Sequence, residues 1–393
     1  MNEAREVPEG HEVHEVYMDY NATTPVRAEA AEVYARVQRE CFGNPSSTHF
    51  AGRRARSILD ESRERIAATL GAQPREVYFT SGGTEGDNLA ILGVAESHAR
   101  GHIVTSSIEH PAVLETCRRL AARGFGITYL PVDTEGRVDP VGVRDAIRDD
   151  TVLVTIMWVN SETGVIQPIE AIGRYARERG TAFHSDAVQA FGRVPVDVQA
   201  TPVDLITISG HKFCAPKGVG AVYVRRGITL ATTVRGGGQE RGLRSGTENL
   251  PGIAAMAEAG ALACAERGAE SQRLDELRNR LEAGVLDQVP DVSINGGGAS
   301  RVANTSNVCF TGADGEELLI SLDERRIAVS SASACAAGND QPSHVLMAMG
   351  RSRREAEDSM RFSLGRLSTV PDVDRCLEVL PQAVERVRSL RPR

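Results

Sequence analysis

No apolar run in this chain approaches the roughly 20 residues that a membrane-spanning helix needs. The opening stretch, MNEAREVPEGHEVHEV, lacks both the apolar centre of a secretory signal and the basic character of a transit peptide, so a cytoplasmic setting is expected. Among 393 residues only seven are cysteine: Cys41, Cys117, Cys214, Cys264, Cys309, Cys335 and Cys376. They are scattered, odd in number and never spaced CxxC, which disfavours a disulfide framework and a thiolate zinc site. Most therefore read as small buried hydrophobes. Basic charge is in deficit too: a net charge of −8 argues against nucleic acid as a general partner. Internal repeats and low-complexity tracts are missing. What remains is an ordinary globular composition, 41% hydrophobic and 25% charged, long enough for a large core and two domains.

The stretch from Ile206 to Gly220 draws attention first. Ile206, Thr207 and Ile208 lead into a polar hinge, Ser209-Gly210-His211-Lys212, followed by a Pro-Lys-Gly turn and a second strand-like run, Val219 to Val224. Burial pushes a lysine towards its neutral amine, the form that attacks a carbonyl. Alternatively, Lys212 merely ends a strand and reaches back to solvent. The rest of the chain has to decide between the two.

In order, residues 1–16 read as a loose tail, and Tyr17-Met-Asp-Tyr-Asn-Ala-Thr-Thr-Pro25 as a short strand and turn. A helix over Arg27–Arg39, a loop FGNPSSTH and a long amphipathic helix ending at Gly71 follow. The strand Val77–Thr80 runs into Ser81-Gly-Gly-Thr-Glu-Gly-Asp-Asn88, which opens the next helix. Gly83, Thr84 and the helix N-terminus could hold a phosphate there, or the glycines could simply shape the turn. No lysine follows them, so this is not the common nucleotide loop. Strand-like runs recur at Ile103–Ser106, Ile127–Leu130, Val152–Trp158, Ala182–His184, Leu205–Ile208 and Val219–Val224, mostly separated by helices. This alternation predicts an α/β domain on a mainly parallel sheet, whose ligands sit at the carboxyl ends of the strands. A glycine-rich segment, residues 236–249, leads to an alanine-rich helix reaching about Ala283 and a smaller α+β module with strands at Val292–Asn295 and Ser306–Phe310.

Several polar residues close the predicted strands. Asp186 would need a cationic or hydrogen-bonded partner if buried; a protonated heterocyclic nitrogen would serve, although a helix cap is the plainer reading. Gln189 and Asn160 offer neutral donors, and His110 can stack on a ring or move protons. Ser209 and His211 can donate to a phosphate beside Lys212. Together these groups meet every need of one cofactor, pyridoxal 5'-phosphate: phosphate, ring face, phenolic oxygen, ring nitrogen and aldehyde carbon.

The motifs YMDYNATTP, FGNPSSTH, FTSGGTEGDN, EHPAV, NSETG, HSDAVQ, SGHKFCAPKGVG, RSGTEN, SSASAC and MRFSLGR occur in order between about Tyr17 and Leu367. In these the chain resembles the fold-type I pyridoxal phosphate enzymes of the class V aminotransferase family, and specifically the NifS/IscS-type cysteine desulfurases. The resemblance implies a large domain, residues 17–256, with a mainly parallel seven-stranded sheet flanked by helices, and a small α+β domain, 257–393 with 1–16. It implies that Lys212 binds the cofactor covalently, that Asp186 pairs with the ring nitrogen and Gln189 with the phenolic oxygen, and that His110 stacks on the ring and serves proton transfer. Gly83, Thr84, Ser209 and His211 would hold the phosphate. Thr247 would reach the cofactor of a neighbouring subunit, hence a homodimer. Arg361, helped by Asn160, would bind the substrate carboxylate.

Cys335 would take the sulfur of L-cysteine as a persulfide, leaving L-alanine. Its neighbours, Ser330 to Asp340, are small and polar and suit a loop. Ala332 departs from the glycine usual in the group. The implied recipient is a sulfur-acceptor protein such as an iron–sulfur scaffold. Transfer-RNA thiolation, DNA phosphorothioation and a selenocysteine lyase activity stay open, whereas the joint presence of Lys212, Asp186, Arg361 and Cys335 argues against a cofactor-binding regulatory protein without turnover.

Overall fold

The computed structural model of the protein describes residues 14–331 and 341–390. These begin with a short strand, β1 (Val16–Tyr17), and helices α1 (Ala28–Glu40) and α2 (Phe50–Leu70). Strands and helices then alternate: β2 (Val77–Thr80), α3 (Gly83–Glu96), β3 (His102–Ser106), α4 (Pro111–Ala122), β4 (Gly126–Leu130), α5 (Pro140–Ala146), β5 (Thr151–Thr155), α6 (Ile169–Glu178), β6 (Ala182–Asp186), β7 (Leu205–Ser209) and β8 (Gly220–Val224). The long α7 (Leu250–Gln288) leads to β9 (Val292–Ile294), β10 (Thr305–Phe310), α8 (Gly315–Asp323), β11 (Ile327–Ala328) and β12 (Ser330–Ser331). After the next described residue, Gln341, come α9 (His344–Ala348), α10 (Arg353–Glu357), β13 (Ser359–Ser363) and α11 (Val370–Leu390).

Seven strands form one sheet in the order β2-β8-β7-β6-β5-β3-β4. The five from β7 to β4 are mutually parallel, and β8 runs antiparallel to both its neighbours. Helices cover both faces, so β3, β7 and β8 are buried throughout, as their apolar runs require. One strand is shorter than its sequence suggests. β5 ends at Thr155, but the Ile156 and Trp158 N–H groups still donate to the His184 and Asp186 carbonyls of β6 (3.2 and 2.8 Å), while the Met157 N–H donates to the Glu109 carboxylate at 3.0 Å. The run to Trp158 is apolar because it is buried.

A second sheet, β12-β13-β10-β9, is antiparallel and packs against α8, α11 and the latter part of α7. The first core contains Phe183, Ile206 and Tyr223; the second contains Phe310, Phe362 and Leu380, joined by Val16 and Met18 from β1 and its continuation. Helix α7 belongs to both: Leu250 to Ala259 lie in the first core, Leu274 to Val285 in the second. Among the described residues no helix is long and apolar enough to cross a membrane.

Candidate active site

Parallel strands bring their carboxyl ends to one side of the sheet, and β6, β7 and the loops after β3 and β5 end here on one cavity of about 390 Å³. Its first wall is the start of α3. Gly82 precedes the helix at φ 153°, a backbone state that favours glycine, and supplies no capping side chain. A Cβ on Gly83 would stand 2.9 Å from Val188 Cγ2, so the turn fits against the segment after β6 only without one. The helix therefore opens towards the cavity with the uncapped N–H groups of its first turn, beside Thr84, Ser209 and His211. This is an anion cradle. Burial, with Lys212 and Lys217 nearby, pushes His211 down to about 4, so it is neutral at physiological pH.

Asp186 ends β6 and is buried; its Oδ1 accepts the Val188 N–H at 2.9 Å. Desolvation raises its pKa, while His110 and Lys212 pull it back, the signature of a carboxylate set among groups that favour its charge. His110 caps α4, accepting the Ala112 N–H at Nδ1 (3.1 Å), so the opposite edge of its ring is left for the cavity. Burial lowers the His110 pKa and Asp186 opposes the shift. Lys212 lies in the tight turn after β7; Nζ donates to the carbonyls of Asn21 (2.6 Å) and Ala22 (2.8 Å). Gln189 Nε2 donates to the same Asn21 carbonyl at 2.9 Å, and Gln189 Oε1 accepts from Arg193.

Arg361, in the middle of β13, closes the cavity from the second sheet. Its guanidinium donates to Asp19 Oδ1 (2.7 Å) and to the Ser161 carbonyl (3.2 Å), and its buried Nε has no partner among the described residues. Asn160 sits differently. It is buried, its Oδ1 accepts from the Glu162 and Thr163 N–H groups, and its Nδ2 donates to the Ile108 carbonyl; Ser161 takes the place on the wall. Thr247 is exposed, away from this cavity, on a segment tied to α3 by Arg244 and Glu85 (2.6 Å) and to α2 by the buried pair Arg63–Glu240 (2.7 Å). Cys335 and Ala332 lie outside the described residues. The chain runs towards them from β12, whose Ser330 lines the cavity and pairs with Arg361 across the sheet. On the far side, Ser343 donates to the Glu162 carboxylate and His344 Nε2 lies 2.9 Å from the Glu109 carbonyl.

Sequence reasoning missed Asp19, the carbonyls of Asn21 and Ala22, and Asp87, all of which face the cavity. The first three lie in YMDYNATTP and Asp87 in FTSGGTEGDN, motifs noticed for order and spacing without roles for these positions. Backbone acceptors leave no mark in a sequence.

With this geometry in hand, the relatives can be compared. The family model for aminotransferase class-V matches residues 16–376. A protein described as cysteine desulfurase IscS from Methanosarcina thermophila is 48% identical over 379 residues, covering 96% of this chain and 94% of that protein. The solved structure of a NifS-like protein superposes with a TM-score of 0.89 at 37% identity, covering 95% of this chain and all of the other. A structure described as SspA in complex with cysteine gives 0.80 at 39% identity, over 89% and 98% of the two chains. On the extent of these matches, the chain belongs to the class-V aminotransferase family.

Proposed function

We propose that this chain is a pyridoxal 5'-phosphate-dependent cysteine desulfurase that converts L-cysteine to L-alanine and moves the sulfur to Cys335. The observation that carries the reading is the meeting, around one cavity, of Lys212, Asp186, Gln189, His110, the α3 cradle and Arg361. The donor set suits the cofactor. The uncapped helix start with Thr84, Ser209 and His211 matches a phosphate, buried Asp186 matches a protonated ring nitrogen, and Gln189 a phenolic oxygen. Lys212 is the covalent anchor. The bound cofactor supplies an electron sink at the substrate α-carbon.

The residues divide the remaining tasks. Arg361, a guanidinium on the cavity wall, receives the substrate carboxylate. Lys212, once released, takes the α-proton, and His110, whose pKa burial lowers in favour of the uncharged imidazole, serves a second proton transfer. Asn160 shapes the loop that presents Ser161. The Cys335 thiol attacks the substrate sulfur: an S–S bond forms, the C–S bond breaks, and the proton displaced ends on the alanine methyl. No external oxidant or reductant is needed. Ser330 beside Arg361 supports this role, because it brings the approach to Cys335 to the cavity edge.

We place the reaction in the cytoplasm, where free thiols persist. A homodimer is proposed from exposed Thr247 and from the apolar Phe42, ahead of α2, and Phe50, its first residue, which are 84% and 79% exposed, since large exposed apolar side chains mark an interface. A protein acceptor, in iron–sulfur assembly, is the proposed recipient. The test is incubation of the purified protein with L-cysteine, with alanine and protein mass measured together. The reading expects equimolar alanine and a gain of one sulfur on the Cys335 peptide in the first turnover. A Cys335→Ala protein that still releases sulfide at the full rate would overturn the persulfide step.

A further inference from the structure

Behind Asp186 lies a second buried acid that the mechanism above does not use. Asp87 sits one turn into α3, is 1% exposed, lines the same cavity, and its Oδ1 has no hydrogen-bond partner among the described residues. Helix α3 comes this close to the sheet because Gly86 lacks a side chain: a Cβ there would stand 2.5 Å from Thr207 Cγ2. Below Asp87, three neighbouring strands present one polar row. Thr155 on β5 is opposite His184 on β6, and Thr207 on β7 is opposite Asp186. His184 Nδ1 lies 2.9 Å from Thr155 Oγ1, and its Nε2 3.0 Å from Thr207 Oγ1 and 3.7 Å from Asp87 Oδ1. His184 and Asp186 are two residues apart on a strand and so share a face.

Two buried carboxylates on one cavity cannot both ionise cheaply. The surroundings decide which keeps the charge. Asp186 accepts a backbone N–H and is stabilised by Lys212 and His110. Around Asp87 the titratable groups are Asp186 and His184 from β6 and Glu109 from the segment before α4. None supplies a cation: the other two are acids, and burial pushes His184 down to about 3. Desolvation and Asp186 both raise the Asp87 pKa; only the Thr207 hydroxyl opposes them.

We infer that Asp87 is a positioning residue that holds a proton, so that the two buried carboxyls carry one negative charge between them and Asp186 keeps it. The inference rests on the cofactor reading for its purpose, since Asp186 is where a ring nitrogen would meet that charge. Its protonation is testable without the cofactor.

In cofactor-free protein, an acid kept protonated by the fold loses stability as pH rises from its unfolded value towards its folded one. Asp87→Asn mimics the protonated group and escapes that loss. Its thermal midpoint should gain on the parent between pH 4 and pH 8, by about 2–6 °C in total. A flat or falling difference, or an Asn variant that cannot fold, overturns the inference. With pyridoxal phosphate added, Asp87→Asn should keep cofactor affinity within about threefold and leave the pKa of the visible band in place, while Asp87→Ala shifts that pKa and weakens affinity about tenfold, a change of ~1.4 kcal/mol. An ionised Asp87 would instead show its loss in the Asn variant. If the parent binds no cofactor, the function proposal fails and the cofactor-free comparison still decides this one.

Discussion

The guanidinium of Arg361 lies 2.7 Å from the carboxylate of Asp19, joining the middle of β13 to the turn that follows β1. Arg361 is almost fully buried while a fifth of the Asp19 side chain, 21%, stays exposed. The pair therefore presets an arginine in the cavity wall.

Replacing Arg361 by alanine should raise KM for L-cysteine about 10–100-fold, the effect of losing one or two charge-assisted hydrogen bonds, with a smaller change in kcat. Asp19→Asn should leave the arginine in place with its charge unpaired. Because Asp19 is partly hydrated, the expected stability loss is about 1–3 kcal/mol, below the ~3–5 kcal/mol of a fully buried pair. Steady-state kinetics and denaturant unfolding measure the two effects.

Lys212 should be the covalent attachment point. The chain contains only two lysines, Lys212 and Lys217, and Lys217 is exposed. Hydride reduction of the cofactor-loaded protein, followed by peptide mapping, should place the label on Lys212, with Lys217 as the internal comparison. Lys212→Ala should lose the label and about 10²–10⁴ in kcat, the usual contribution of a positioned proton-transfer group. Label recovered on Lys217 alone would refute the assignment.

Glu109 gives a pH prediction. Burial pushes its pKa up to about 8, against hydrogen bonds from Ser106 and the Met157 N–H. The fold raises the pKa, so Glu109 supports stability fully below its unfolded value and loses that support as pH climbs towards 8. Glu109→Gln should flatten the decline and be more stable than the parent at pH 8 by roughly 2–4 kcal/mol, one pKa unit being worth ~1.4 kcal/mol. Chemical denaturation at pH 5 and pH 8 checks the sign; equal slopes for the two proteins would show that Glu109 titrates normally.

Gly86→Ala should weaken the cradle without touching it. The added methyl falls 2.5 Å from Thr207 Cγ2, so α3 must move away from β7. Overpacking of this kind costs about 1–3 kcal/mol, and the shift should lower cofactor affinity as well, read by equilibrium dialysis.

Much of the fold was legible in the chain. The β-branched runs at Val77–Thr80, Leu205–Ser209 and Gly220–Val224 are strands because buried parallel and mixed sheets demand continuous apolar surface, and Gly71, at φ 68°, ends α2 where the glycine predicted it. Asp186, Gln189, Ser209, His211 and Lys212 could be named as a group because strand ends in an α/β sheet converge. Asn160 was harder: a polar residue after an apolar strand looks the same whether it faces a ligand or stitches its own turn, and here its amide is engaged by Glu162 and Thr163.

By itself, then, the sequence determined the kinds of elements and the chemical types available, because backbone periodicity, turn residues and side-chain inventory are local properties. Only the tertiary structure decided which groups meet and in what state. Lys212 and Gln189 share the Asn21 carbonyl, Arg361 faces Asp19, and Asp87 crowds Asp186. Those relations depend on burial and on contacts between residues about a hundred or more positions apart, where neighbouring charges and hydrogen bonds set which buried carboxyl keeps a proton and which keeps a charge.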